Sequence, residues 1–245
     1  QVVLTPAAPA EGGTLNVAAT ITDVAGNTSA QGSDSATLIT SGPLASITVD
    51  PVTADNVLNI AETSGATVTI TGTVGGDVKV GDTVTLTVNG HDTTGQVIDL
   101  GSGKLGYTIA VSSTDLKADS TVHASVTTTD SHGNSSTATG SDSYGLDLSA
   151  PSAPTVVIAT DANNDGYLNK AEQGSATTDT VNIGLPTDAK AGDTLNVTIN
   201  GTAQPGHVLT AAEISAGQVV ITPTAPAEGG TLNVAATITD VAGNT

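Results

Sequence analysis

Cysteine, methionine, tryptophan, phenylalanine and arginine are all absent from the 245 residues. Without cysteine there is no disulfide staple, no thiol nucleophile and no cysteine-based zinc site. The aromatic complement is three tyrosines, Tyr107, Tyr144 and Tyr167, too few to stack sugars or bases along a surface. The only strong bases are five lysines, against 24 acidic side chains, for a net charge of -19 and a pI of about 4.1. Nucleic acid and anionic membranes repel such a chain, and cations are drawn to it. No apolar run is long enough for a membrane-spanning helix. No signal peptide opens the sequence, because Gln1 leads directly into a strand-like run.

The apolar 37% consists mostly of Val, Ile, Leu and Ala interleaved with Thr. That is strand composition rather than linker composition. A β domain of about 100 residues without large aromatics has a modest core. The acidic balance points to a divalent metal as its supplement, with a sufficient Val/Ile/Leu core as the plainer reading.

Internal repetition sets the organisation. Val2–Thr28 and Val219–Thr245 are identical at 25 of 27 positions, differing at Leu4/Ile221 and Ala7/Thr224, at an offset of 217 residues (219 − 2). A diverged copy, Ser120–Asn134, lies between them, making Asp23, Asp130 and Asp240 equivalent. Gly81–Gly90 matches Gly192–Gly201 at an offset of 111, and Leu58–Glu62 matches Leu168–Glu172 at 110. These landmarks agree on a period of about 110 residues. They divide the chain into the C-terminal part of one repeat (1–43), a complete repeat (44–149) and a nearly complete one (150–245). Ser41-Gly42-Pro43 and Ser149-Ala150-Pro151 are short, proline-stiffened junctions. Both ends fall inside repeats, so the sequence reads as a piece of a longer protein.

Within a repeat the pattern is all-β. Thr67–Thr71, Thr83–Asn89 and Thr121–Thr129 alternate apolar and polar residues at period two, separated by turns such as Asn89-Gly90 and Gly101-Ser102-Gly103. Strands are predicted near 45–49, 66–74, 83–89, 95–99, 105–111, 121–129 and 136–146. Seven short strands in such a length predict tandem immunoglobulin-like β-sandwich domains. Single helical turns are expected at Thr114–Ala118 and Ala211–Ser215.

One segment carries metal chemistry. Asp161-Ala-Asn163-Asn-Asp165-Gly166-Tyr167-Leu-Asn169-Lys-Ala-Glu172 places oxygen donors at loop positions 1, 3, 5, 9 and 12 and glycine at 6, with the Tyr167 carbonyl at 7. This is the spacing that wraps oxygens around Ca2+. A strand precedes it, so the reading is a calcium loop set in a β domain, with an acidic turn as the plainer alternative. The matching loop of the preceding repeat is degenerate. Asp55, Asn59 and Glu62 remain, Asn56 replaces the glycine, Pro51 and Thr53 replace the first donors, and Asp50 sits one residue early. If that loop holds metal, Asp55 and Glu62 are its ligands, with Asp50 possible.

A second element, Asp-x-x-Gly-Asn, recurs at Asp23–Asn27, Asp130–Asn134 and Asp240–Asn244. On its own it reads as an Asx-type turn. In a head-to-tail array of sandwiches, however, it lies at the pole where the chain enters each repeat. Asp147 would then lie near Asp240 and Asn244, with the Asp55–Glu62 loop opposite, and calcium is expected to clamp that junction. Catalytic readings find little support. His91, His123, His132 and His207 form no metal-binding pair, no Gly-x-Ser-x-Gly elbow is present, and the glycines sit in hairpin turns.

The ordered series Asp55-Asn56-Val57-Leu58-Asn59-x-Ala61-Glu62, Gly81-Asp82-Thr83-Val84, Asn89-Gly90 and Thr129-Asp130-x-x-Gly133-Asn134 resembles the extender repeats of giant repeats-in-toxin adhesins. These are exported by type I secretion and include biofilm and ice-binding adhesins. The resemblance spans essentially the whole chain. It implies an Ig-like fold, calcium at the junctions, and a rod at the bacterial cell surface that projects a distal ligand-binding domain. The calcium role carries over to Asp161, Asn163, Asp165, Asn169 and Glu172, and beyond them to Asp130, Asn134, Asp147 and Asp240. The expected function is therefore a calcium-rigidified spacer of a secreted adhesin, not an enzyme. Its partners would be neighbouring repeats, with no nucleic acid and no membrane insertion. The alternative is a calcium-dependent module binding sugar, receptor or ice.

Overall fold

The computed structural model describes residues 1–245. Its contacts divide into two compact units. The first gathers Gln1–Asp50, Ile70–Ile109 and Val122–Asp142, and the second Pro51–Thr69, Ala110–Thr121 and Ser143–Thr245. The 44–149 stretch thus contributes to both.

In the first unit, Thr14–Ala19 and Gly32–Thr37 form an antiparallel hairpin in unbroken register from Thr14↔Thr37 to Ala19↔Gly32. The Glu11 carboxylate closes its far end by accepting from the Thr40 and Ser41 N–H groups and from Thr40 Oγ1. Two four-stranded sheets follow. One orders Ser135–Ser143, Thr121–Thr129, Thr83–Val88 and His91–Gln96; the other orders Ala45–Ile47, Thr67–Gly76, Lys104–Ser112 and Ile98–Gly101. Alternation places the apolar residues between them. Val84, Leu86 and Val88 are buried on one side, Ile70, Tyr107 and Ile109 on the other. Each such side chain contributes about 1.5–3 kcal/mol on burial. The sheets approach closely enough that a side chain at Gly95 would run into Ile109.

With no Phe or Trp available, Tyr107 fills the largest volume of this core. Its hydroxyl cannot stay unpaired there, and it donates to the Thr48 carbonyl at 2.8 Å. Burial pushes its phenol pKa well above the usual value, with the Asp50 charge adding to the shift. The phenol crosses directly over Gly72, where any Cβ would collide with both Thr48 O and Tyr107 Oη. A glycine in mid-strand, ordinarily a cost, is therefore the condition for seating the only large aromatic of this unit.

The second unit carries a three-stranded antiparallel sheet ordered Thr155–Ile158, Val181–Gly184 and Gln218–Ile221. A second sheet is centred on Thr194–Ile199, which pairs with Val234–Thr239 on one side and with Thr202–Ala203 and His207–Val208 on the other. Val181, Ile183, Leu195, Val197, Leu209, Val219, Leu232 and Ile238 close the core between them. Helices occur at Ser113–Ala118 and Ala211–Ala216, covering the two expected turns. The second is framed by a Thr210/Glu213 capping box and a left-handed Gly217.

Two elements depart from the sequence reading. The strand expected near 95–99 is two strands, because Asn89-Gly90 takes left-handed values and turns the chain straight into His91–Gln96 before Ile98–Gly101. Gly145–Leu146 runs parallel to Val57–Leu58, a two-residue ladder that no periodicity announces.

The Gly72 contact is directly testable. Gly72→Ala should lower stability by at least about 2 kcal/mol through overpacking. Gly32→Ala, at a strand position with open space around it, should change it by less than about 0.5 kcal/mol. Urea unfolding of the two variants checks the contrast; equal midpoints would contradict the packing described.

Candidate metal centre and the junction beside it

The loop after Thr155–Ile158 turns at two left-handed positions, Asn164 (φ 54°) and Gly166 (φ 85°). It ends in a short helix, Lys170–Gln173, capped by Asn169. Asp161, 9% exposed, accepts from the Asp165 N–H (3.2 Å) and the Gly166 N–H (2.9 Å). Asn163 donates its amide to Asp165 (3.0 Å) and its backbone N–H to Glu172 Oε1 (3.4 Å). Glu172 Oε2 accepts from the Asn169 backbone N–H (3.1 Å) and side-chain amide (2.7 Å). All five side-chain donors named from the sequence are thereby tied into one hydrogen-bonded chain, from Asp161 through Asp165, Asn163 and Glu172 to Asn169. Tyr167 offers only its main chain, since its side chain is 78% exposed.

The donor chemistry fits calcium. Three carboxylates, two amide oxygens and a carbonyl are hard oxygen ligands of the right number. No three acidic or histidine side chains converge anywhere into a chelating group on their own, so any grip at this loop is a shared carboxylate–amide one. Sequence reasoning missed a further group. Asp179 is 1% exposed and neither of its carboxylate oxygens has a hydrogen-bond partner, a condition that calls for a cation or a proton. Its neighbour Thr180 gives its N–H to Thr160 Oγ1 at 2.8 Å, one residue from Asp161. Nothing in the Thr177–Val181 pattern marks Asp179 as special.

The degenerate loop keeps the turn and loses its first two donors. Asn56 occupies the glycine position at φ 58°, a conformation asparagine tolerates. Its amide is spent on structure, accepting from the Val52 N–H (3.0 Å) and donating to the Ser143 carbonyl (2.9 Å). Asp55 accepts from the Val57 N–H and the Thr53 hydroxyl, and these bonds hold its carboxyl below the usual range. Asp50 is engaged by the Thr71 hydroxyl at 2.8 Å. With Pro51 in the place of the first ligand and Thr53 in that of the second, the 51–62 loop offers fewer side-chain oxygens than the 161–172 loop.

What this loop does instead is meet the last Asp-x-x-Gly-Asn loop. The Gly145–Leu146 ladder sets Asp147 against Leu58 through an N–H···O bond of 3.0 Å. The Asn244 amide donates to the Asp147 carbonyl (3.0 Å) and accepts from the Ile60 N–H (2.8 Å). Asn59 donates its amide to the Ala242 carbonyl (2.8 Å). The acidic groups stay within their own loops. Asp240 accepts from Asn244, Asp147 from the Ser149 N–H, and Glu62 from the Asn59 N–H. Of the residues named for this junction, the structure brings Asp147 and the 240–244 loop together, and the bridging is done by amides. The bridging role of Asn59 was missed, although its recurrence in Leu-Asn-x-Ala-Glu marked the position.

The earlier copies repeat the loop's internal geometry. Asp130 accepts from the Asn134 N–H (2.9 Å) and amide (3.0 Å), and that amide also reaches the Ile39 carbonyl (3.3 Å). Asp23 accepts from Asn27 in the same way. In both, the Asn side chain is the main reason the Asp carboxyl sits below its usual range. Among the histidines, His207 Nε2 lies 2.7 Å from Glu213 Oε1 on a half-exposed surface, and His132 borders Asp130 at 4.0 Å. Ser131 Oγ lies 3.4 Å from His132 Nδ1, the same nitrogen that borders Asp130, on an exposed turn.

No protein-family model and no curated protein matches the chain. Among solved structures, a Ca2+-stabilised adhesin that helps an Antarctic bacterium reach out and bind ice is 29% identical over 92% of this chain and 55% of its own, with a TM-score of 0.57. A 1.5-MDa bacterial ice-binding adhesin, described for its retention at the host cell surface, is 25% identical over 92% of this chain and 72% of its own, with a TM-score of 0.56. The chain's structural neighbours are Ig-like domains of large bacterial adhesins. It spans about half the length of the first of them. A bacterial immunoglobulin-like domain from the M. primoryensis ice-binding adhesin is also similar, at 40% identity over 42% of this chain and 96% of its own, with a TM-score of 0.38. The immunoglobulin-like, all-β class expected from the sequence is the class observed.

The Asp–Asn pairs give a pH prediction. Carboxyls with lowered folded pKa values contribute stability that is fully present above the unfolded value of about 3.9 and is lost as pH falls through the folded one. Carboxylate NMR titration in chelator should therefore place Asp23, Asp55 and Asp130 below about 3.9. Asn134→Ala should move Asp130 upward and leave Asp23 unchanged. A melting temperature that already falls between about pH 7 and 5 would contradict this assignment.

Proposed function

We propose that this chain is a spacer segment of a large bacterial surface adhesin, built of tandem Ig-like repeats at 1–43, 44–149 and 150–245. The observation that carries the reading is the bonded meeting of the 59–62 turn, Asp147 and the 240–244 loop. A repeat whose ends are shaped for its neighbours is a part for building length. Likeness to the Ca2+-stabilised ice-binding adhesin supports the same conclusion. So does a surface with few aromatics and scattered acids, which offers little to grip a ligand.

Calcium joins the proposal at one loop. Asp161, Asn163, Asp165, the Tyr167 carbonyl, Asn169 and Glu172 would hold it, with Asp179 as a further oxygen donor. When bound, the ion supplies positive charge that offsets the carboxylates. Asp161 and Glu172 then lock the path from Thr155–Ile158 to the Lys170–Gln173 helix. Extracellular modules bind calcium with dissociation constants of about 10⁻⁴–10⁻³ M, so such a loop fills outside a cell and empties in the cytosol. Stabilisation would follow export, consistent with a place on the bacterial surface.

At about 10 mM calcium, linkage predicts a gain of about 1.5–3 kcal/mol over the chelated chain. Asp161→Asn should abolish the gain, and Asp55→Asn should leave it intact. Asp179→Asn should stabilise the chelated chain by removing a buried unpaired charge and should shrink the calcium increment. Chemical unfolding with and without EDTA reads all three. A wild-type midpoint indifferent to calcium would sink the ion reading.

A further inference from the structure

The contacts at the junction go beyond the spacer reading on which they rest. We infer that the Asn59–Glu62 turn is a receptor for the Asp240–Asn244 loop, an amide clasp that fixes successive repeats without an ion. Both halves are prebuilt, and the chain displays each half in docked and undocked form.

The loop half recurs three times with one internal geometry. The Asn backbone N–H lies 2.9, 2.9 and 2.8 Å from the Asp carboxylate at Asn27, Asn134 and Asn244. Only the surroundings change. Asn27 is exposed, Asn134 is half-buried, and Asn244 is 3% exposed with its amide donating to Asp147 O and Asp240 while accepting from Ile60. The aspartate aims the asparagine whether or not it is docked, so little side-chain freedom is lost on docking.

The turn half occurs twice. Asn59–Glu62 and Asn169–Glu172 share a reciprocal bond, in which the Asn N–H meets Glu Oε2 at 3.1 Å in each and the Glu N–H returns to Asn Oδ1. They differ in one place. In the undocked turn the Asn169 amide folds back onto Glu172 at 2.7 Å; in the docked turn the Asn59 amide is given to Ala242 O at 2.8 Å. Gly243 leaves room for it. A Cβ there would lie 3.2 Å from Asn59 Nδ2, whereas at Gly26 and Gly133, at the same positive φ, it would meet nothing within 4 Å. An Asn-x-Ala-Glu turn therefore reads an Asp-x-x-Gly-Asn loop through amide and peptide groups alone.

Amide hydrogen exchange on the full chain in EDTA tests the clasp. Ile60 N–H, bonded to Asn244, should exchange at least about three- to tenfold more slowly than in Asn244→Ala. The N–H of Lys170, its counterpart in the undocked turn, should be the same in both proteins. Asn59→Asp keeps the oxygen that caps the turn and removes only the donor to Ala242, so it should loosen Ile60; Asn169→Asp should not. Ile60 exchange unaffected by Asn244→Ala and Asn59→Asp, or protection that emerges only on adding calcium, would overturn the clasp. Protection that persists in a chain indifferent to calcium would leave the clasp standing and remove only the ion reading.

Discussion

The Asp240 carboxylate takes both the backbone N–H and the side-chain amide of Asn244, and the rest of the junction depends on that grip. An asparagine on a loop tip normally samples several rotamers, and ordering it costs free energy. Here the cost is met inside the loop. What remains is an amide already facing outward, for which a carbonyl at Asp147 and an N–H at Ile60 are matched partners. Those partners are held just as firmly. The Gly145–Leu146 ladder positions Asp147, and the Asn59/Glu62 cap sets the direction of the Ile60 N–H.

The same economy runs through a chain with a small core and a large negative charge. Two of its three tyrosines serve as internal anchors. Tyr107 is tied to Thr48 over Gly72, and Tyr144 to Leu116 and Asp119, where burial raises its phenol to about 12. Carboxylates that would otherwise repel one another are turned into their own loops. Glu11, Asp23, Asp55, Asp130 and Glu213 all accept from nearby N–H or hydroxyl groups and are stabilised in the charged form. Asp23, Asp55, Asp130 and Glu213 each shape a local turn, while Glu11 reaches across to Thr40 and Ser41. Asp179 is a buried carboxylate with no partner for either oxygen, and its neighbour Thr180 is bonded to Thr160, the residue before Asp161.

Much of this was legible in the sequence, for physical reasons. Period-two alternation fixes which face of Thr83–Val88 and Thr121–Thr129 is buried. The Asn89-Gly90 dipeptide specifies a hairpin. Repeated landmarks align Asp23, Asp130 and Asp240. The oxygen spacing from Asp161 to Glu172 foreshadows a single hydrogen-bonded chain of side chains. Other features were not legible. The Val57–Leu58 ladder is too short to carry a period, and the orphan state of Asp179 depends on what surrounds it in space. The place of Asn56 at a glycine position reads as a defect in a metal loop until its amide is seen pinning Val52 to Ser143.

Acid-rich loops at a junction send the same sequence signal whether they chelate or simply turn, and burial separates the two. A carboxylate carried into a site 3% exposed would pay a heavy desolvation cost unless fully compensated, whereas a neutral amide with its donors and acceptor engaged pays little. The chain places Asn244 at the dry centre and leaves Asp240 half-exposed behind it. The charge acts on the amide, and the amide acts on the neighbour. That division of labour lets a chain with so many negative charges bring the 59–62 turn and the 240–244 loop into contact without setting carboxylate against carboxylate.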